Sequence, residues 1–164
     1  MKANEKLAEI KAICDSPTEE EPKVEIVSEV RYGTKWADFP SFKPSEFTCP
    51  CGKCDMSKAE GVEDMDYKLL FILQSIRNKY GKPVVITSGA RCKTFNASLS
   101  NADANSYHMK KKAADFYIAG ITSTEKGRNE VVAYLKTLAG FKYAYHNVGG
   151  KYQKMGSAVH IEVK

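Results

Sequence analysis

Two histidines and an aspartate define the chemistry open to this chain: His108 and Asp115 in Ser106-Tyr107-His108-Met109-Lys110-Lys111-Lys112-Ala113-Ala114-Asp115, and His160 in Val159-His160-Ile161-Glu162-Val163. Two imidazoles and a carboxylate are a donor set for zinc, and a zinc ion held by three protein ligands with its fourth position left to water is a hydrolytic catalyst. In the later segment apolar and polar residues alternate, so Val159, Ile161 and Val163 are expected to face a core while His160 and Glu162 share the opposite face. Ala113–Ile118 reads as another strand, with His108 in the loop before it and Asp115 near its beginning. If the two strands pair, the three donors converge on one ion. Taken singly, each residue has a plainer reading as a loop histidine, a turn aspartate or a half-buried strand histidine.

A second motif, Ser88-Gly89-Ala90-Arg91-Cys92-Lys93-Thr94-Phe95-Asn96, and an upstream Ser45-Glu46-Phe47-Thr48-Cys49 complete the pattern. Together these segments resemble the D-alanyl-D-alanine metallopeptidase family, whose members cut peptidoglycan stem peptides. That family's pattern is Ser-x-His, then Gly, Ala and Asp three, five and seven residues later, with a further His on a strand. Ser106, His108, Ala113, Asp115 and His160 match it. The resemblance runs from about Phe42 to Lys164 and implies one catalytic zinc on His108, Asp115 and His160. It also implies a substrate-side role for Arg91, whose permanent charge and planar fork suit a substrate carboxylate or a developing oxyanion. Ser88 and Ser106 would shape the substrate site. A serine-hydrolase reading has no support, because no Gly-x-Ser-x-Gly elbow is present.

The chain departs from the pattern at several places. The family's Gly is Lys111 here and its Tyr is Ala90. Many relatives place an acid three residues before the last histidine, where this chain has Ser157, and a serine hydroxyl cannot act as the base. Some small relatives read Phe-Val-His-Ile-Asp at this strand, and Glu162 stands at the position of their Asp. Glu162 could accept the proton of the attacking water or orient His160, and His146 is a third candidate.

The elements that must position these groups are those of an α+β fold: a small, largely antiparallel sheet with helices packed on it, Hedgehog and D-Ala-D-Ala peptidase-like by resemblance. A helix is expected over Tyr67–Tyr80, ended by Gly81-Lys82-Pro83, then a buried strand Val84–Thr87 delivering Ser88 and Arg91. A second helix fits Glu125–Leu138 with Gly140 as its stop. Tyr143-Ala144-Tyr145 should lead through Gly149-Gly150 toward the His160 strand. Leu7, Ile10 and Ile13 suggest a short helix, and an acidic, proline-containing stretch over 16–25 reads as a linker. The expected division is therefore 1–38 as an extension and 39–164 as the peptidase-like domain.

With 164 residues, 43% of them hydrophobic, the chain can bury one proper core. A formal charge of +5 favours anionic surroundings. The Lys110–Lys112 run could steer an anionic substrate or be a plain solvated loop. The polar opening Met1–Leu7 lacks the order of a signal peptide, and no apolar run is long enough to span a membrane. Synthesis in a cytoplasm is expected, with action at the bacterial cell wall as a phage or prophage product, as a monomer or in a virion. Of the five cysteines, Cys49, Cys51 and Cys54 are dense enough to hold a second, structural zinc with Cys92 as the fourth ligand, or to form a disulfide, while cytoplasmic synthesis favours free thiols. Cys14 is expected to be unpaired.

Two other function classes stay open. One is a zinc-bearing wall-binding or virion module that has lost hydrolysis, as the related Hedgehog domain shows the fold can serve binding; Ser157 and Lys111 are its support. The other is a nucleic-acid binder using the lysines and cysteines, which leaves the His108, Asp115 and His160 pattern unexplained and lacks an aromatic and basic RNA-binding motif. Peptidoglycan, not nucleic acid, is the expected partner.

Overall fold

Two of the sheet's three pairings join strands that follow one another in sequence, and the third joins strands that do not. In the computed structural model, which describes residues 36–100 and 102–164, strands β1 (Val84–Ser88), β2 (Ala113–Ile118), β3 (Phe141–His146) and β4 (Val159–Val163) form one sheet in the order β1-β2-β4-β3. All three pairings are antiparallel. The last strand thus enters between β2 and β3. Helices α1 (Tyr67–Tyr80), α2 (Lys93–Ser98) and α3 (Glu125–Leu135) complete the α+β fold. The helix expected over Leu7–Ile13, the 16–25 linker and Cys14 lie outside the described residues.

Helix α1 has its limits written in its sequence. The Asp66 side chain accepts from Lys68 N at 2.9 Å, and Gly81 takes φ 58, a left-handed conformation that costs glycine nothing. Between those caps Leu69, Leu70, Ile72, Leu73 and Ile76 are all fully buried. They pack in one core with Phe116 and Ile118 of β2 and with Val159, Ile161 and Val163 of β4. Each such side chain contributes roughly 1.5–3 kcal/mol on burial. The apolar face of β4 is therefore anchored, and its other face is free to carry chemistry.

Helix α3 starts where expected, with Thr124 Oγ1 accepting from Gly127 N at 3.1 Å. It stops at Leu135, earlier than the expected Leu138. The chain tightens there: Thr137 N bonds Tyr134 O at 2.9 Å and Leu138 N bonds Leu135 O at 3.1 Å, an i to i−3 pattern that ends the α-helix. Gly140 then turns at φ 85. The hairpin expected at Gly149-Gly150 is present, both glycines having positive φ and Val148 bridging Lys151.

Strand β1 corrects another expectation. It is an edge strand, and only Val84 in it is buried, because β2 flanks it on one side alone. Its register with β2 breaks between Ile86 and Ser88, and the bulge brings Ser88 opposite Asp115. Bulges re-aim side chains in this way. Among the described residues no helix is long and apolar enough to cross a membrane.

Candidate metal centre

Strand register builds the site. Asp115 on β2 is the cross-strand partner of His160 on β4, and Tyr145 on β3 is the partner of His160 on the other side. Partners in adjacent strands stand about 5 Å apart, close enough for direct contact between polar side chains. His160 Nδ1 lies 2.7 Å from Asp115 Oδ1. The third member comes from a turn of 3-10 helix over Tyr107–Lys110 rather than from an irregular loop. His108 Nε2 lies 3.3 Å from His160 Nδ1 and 3.5 Å from Asp115 Oδ2.

The three donor atoms meet within 4.8 Å of one another and could hold a metal ion. A tetrahedral zinc with ligands near 2.0–2.1 Å separates its donors by about 3.3 Å, so little adjustment is needed. Tautomer and orientation also suit the ion. His108 Nδ1 donates to Gly89 O at 2.6 Å, which turns Nε2 toward His160 and Asp115. Both imidazoles are buried, with 2% and 4% exposure. Burial by itself raises the pKa of Asp115, but hydrogen bonds and charge from His108 and His160 outweigh it and hold the carboxyl below the usual range. The aspartate is thus an anionic donor.

Arg91 and Ser88 join this cluster. Arg91 Nη2 pairs with Asp115 Oδ2 at 2.7 Å, and Arg91 Nε donates to Ser88 Oγ at 2.9 Å. The backbone between them requires a glycine: a Cβ on Gly89 would stand 2.4 Å from Phe47 Cα, and Ala90 N bonds Phe47 O at 2.7 Å. Asn96, buried, donates through Nδ2 to Asp103 O at 2.8 Å and so ties down the loop that borders the site. Arg91, Ser106, His108, Asp115, His160 and Glu162 all line one cleft of about 720 Å³. Ser157 borders a neighbouring groove of about 510 Å³, shared with Ser88 and Asp115.

Glu162 lies behind His160 rather than in front of it. Its Oε1 is 3.4 Å from His160 Nε2, the ring nitrogen that does not face Asp115, and its Oε2 takes a 2.6 Å ion pair from Lys142. Lys142 also sits 3.5 Å above the Tyr107 ring. His146 is a correction: its ring nitrogens are engaged by Asn147 O at 2.9 Å and Asn129 Oδ1 at 3.0 Å, and it does not line the cleft. On β3 it alternates with Tyr145, which places the two on opposite faces.

The Lys110–Lys112 run is likewise occupied elsewhere. Lys110 Nζ lies over Tyr107, Lys111 pairs with Asp64, and Lys112 lies 3.6 Å from Asp66. None of the three lines the cleft. Lys111 takes φ 57, ψ 27, a left-handed conformation in which glycine is the unstrained choice. The Gly at this place in the family's pattern thus has a backbone reason.

Three participants were missed. Tyr145 packs on His160 with ring centroids 4.5 Å apart, and its phenol is pushed up to about 12 by burial and by the Asp115 charge. Tyr152 packs against Tyr145 in a tilted arrangement, ring centroids 4.7 Å apart, extending the aromatic wall of the cleft. The third is Lys142. The signal for Tyr145 was present in Tyr143-Ala144-Tyr145, where alternation puts both tyrosines on one strand face, but only the β3–β4 register brings that face to His160.

A family model described as Peptidase M15 matches residues 40–161 of the chain. No curated protein and no solved structure matches it significantly.

Proposed function

Since the chain belongs to the peptidase M15 family, the D-alanyl-D-alanine metallopeptidases, and is a zinc metallopeptidase by that membership, we propose that it hydrolyses a peptide bond in peptidoglycan stem peptides or their cross-links. The observation that carries this reading is the convergence of His108 Nε2, Asp115 and His160 Nδ1 at the floor of an open cleft. Zinc on these three donors would supply Lewis acidity, polarising a scissile carbonyl and acidifying water.

The protein's own residues would do the rest. Gly89 O keeps the His108 ring in one tautomer. Arg91 steadies Asp115 through Nη2 and is itself steadied by Ser88, and its remaining donors suit a substrate carboxylate or a developing oxyanion. Ser106 and the Tyr145 ring border the space where a peptide would lie. Glu162 orients His160 from behind and would have to leave both His160 and Lys142 to take a proton from water. Carboxypeptidase and endopeptidase action share these parts. Synthesis in a cytoplasm and action at the wall, as a phage or prophage product, belong to the same proposal.

One observation favours a second reading, a zinc-bearing wall-binding or virion module without hydrolysis: Ser157 stands where many relatives carry an acid, and the carboxylate behind His160 is engaged by Lys142. Incubating the purified protein with sacculi, with and without a chelator, separates the two. Chelator-sensitive release of stem-peptide fragments, identified by mass spectrometry, is expected. Sedimentation with sacculi and no released fragments would replace the hydrolase with the binding module.

A further inference from the structure

At the other end of the short Ser88–Cys92 segment stands a second set of donors. Cys49, Cys51 and Cys54 come from one turn, and Cys92 reaches them from 41 residues beyond Cys51. All four Sγ atoms lie within 4.8 Å of one another, and none is in a disulfide. Cys51 and Cys92 are 3.8 Å apart at sulfur. A zinc ion with Zn–S bonds near 2.3 Å spaces its sulfurs about 3.8 Å apart in a regular tetrahedron. Gly52, at φ 67 with open space around its Cα, lets the turn fold back on itself.

Donors point at these sulfurs from several sides. Lys53 N approaches Cys51 Sγ at 3.4 Å, Cys92 N approaches Cys49 Sγ at 3.3 Å and Phe95 N approaches Cys92 Sγ at 3.3 Å. Ser57 Oγ touches both Cys51 Sγ and Cys54 Sγ, at 3.3 and 3.4 Å. Backbone N–H groups aimed at sulfur stabilise negative charge there, which four clustered thiolates around a cation would carry. Soft thiolate donors in a tetrahedral set suit zinc, and a closed shell of four leaves no position for substrate.

We propose that Cys49, Cys51, Cys54 and Cys92 hold a structural zinc ion, and that this ion fastens the segment carrying Arg91 to the turn after Phe47. The segment is gripped at both ends. Cys92 would be tied to the metal, while Gly89 O receives His108 Nδ1 and Arg91 N bonds His108 O at 3.2 Å. The four sulfurs are not preassembled in the unfolded chain, so the ion's binding energy contributes directly to folding. This holds whether or not the protein hydrolyses anything.

Metal analysis of the full-length protein tests it independently of activity. A His108→Ala/His160→Ala variant should retain one zinc equivalent, and on cobalt substitution should show the near-ultraviolet thiolate-to-cobalt charge-transfer band. Cys51→Ser/Cys54→Ser should hold one zinc equivalent fewer than the wild type and lack that band. If that variant fails to fold, alkylation of the wild type decides: the four thiols should resist modification until a chelator is added and then react, as read by peptide mass spectrometry. Loss of all zinc in the histidine variant, ready alkylation before chelation, a disulfide among the four, or iron in place of zinc would overturn the assignment.

Discussion

The His108 and Cys49 clusters lie on either side of one short segment, yet the chain assembles them by different means. Three of the four cysteines sit within one six-residue turn, where backbone conformation alone brings their sulfurs near one another, and only Cys92 is recruited from afar. The His108, Asp115 and His160 cluster has no such local part. Its members arrive from a 3-10 turn, a central strand and the strand inserted beside it, and they meet because β2 and β4 pair Asp115 with His160. The cysteine set is closed by four donors of one kind; the other has three mixed donors and opens on a cleft. A closed shell suits structure, and an open position suits catalysis.

The harshest way to break this contrast is to remove a donor from the open cluster. His160→Ala should abolish hydrolysis of sacculi and remove one zinc equivalent while leaving the cysteine-bound metal in place, as read by fragment release and metal analysis on one preparation. Undiminished hydrolysis would mean the chemistry lies elsewhere. Next in size is Arg91→Ala, expected to lower turnover by about 10²–10³-fold with zinc content unchanged, the scale seen when a transition-state donor is removed. Arg91→Lys should recover little, because the planar fork is lost. Unchanged turnover in the alanine variant would take Arg91 out of the site.

Glu162→Gln sharpens the comparison by asking what supports the open cluster from behind. With Glu162 orienting His160, zinc affinity should fall by about 10–100-fold and the rate should return with excess zinc. A loss of about 100-fold at saturating zinc would instead make Glu162 the general base. The smallest effect is expected at Lys111, in the turn that carries His108. Relief of left-handed backbone strain in Lys111→Gly, worth about 1 kcal/mol, is opposed by the greater freedom of glycine in the unfolded chain and by loss of the Asp64 ion pair. Urea unfolding should therefore shift by no more than about 1 kcal/mol. A larger loss would give Lys111 a role beyond filling the turn.

Much of this was legible in the chain. Apolar spacing and the Gly81 stop set α1 at Tyr67–Tyr80 and alternation assigned the two faces of β4, because these signals are carried within a few consecutive residues, while His108, Asp115 and His160 were picked out only by several ordered motifs taken together. Tertiary structure alone decided which edge of each imidazole faces the others, that Arg91 grips Asp115, that Glu162 stands behind His160 with Lys142, and that Tyr145 walls the cleft while His146 turns away. It also decided that β1 would be an edge strand, and it brings Cys92, already a candidate fourth ligand in the sequence, to the upstream turn. These outcomes depend on strand order and register, which pair residues far apart in the chain. Local periodicity tells a strand which face is apolar, but the identity of the neighbour on its polar face is settled only when the sheet forms.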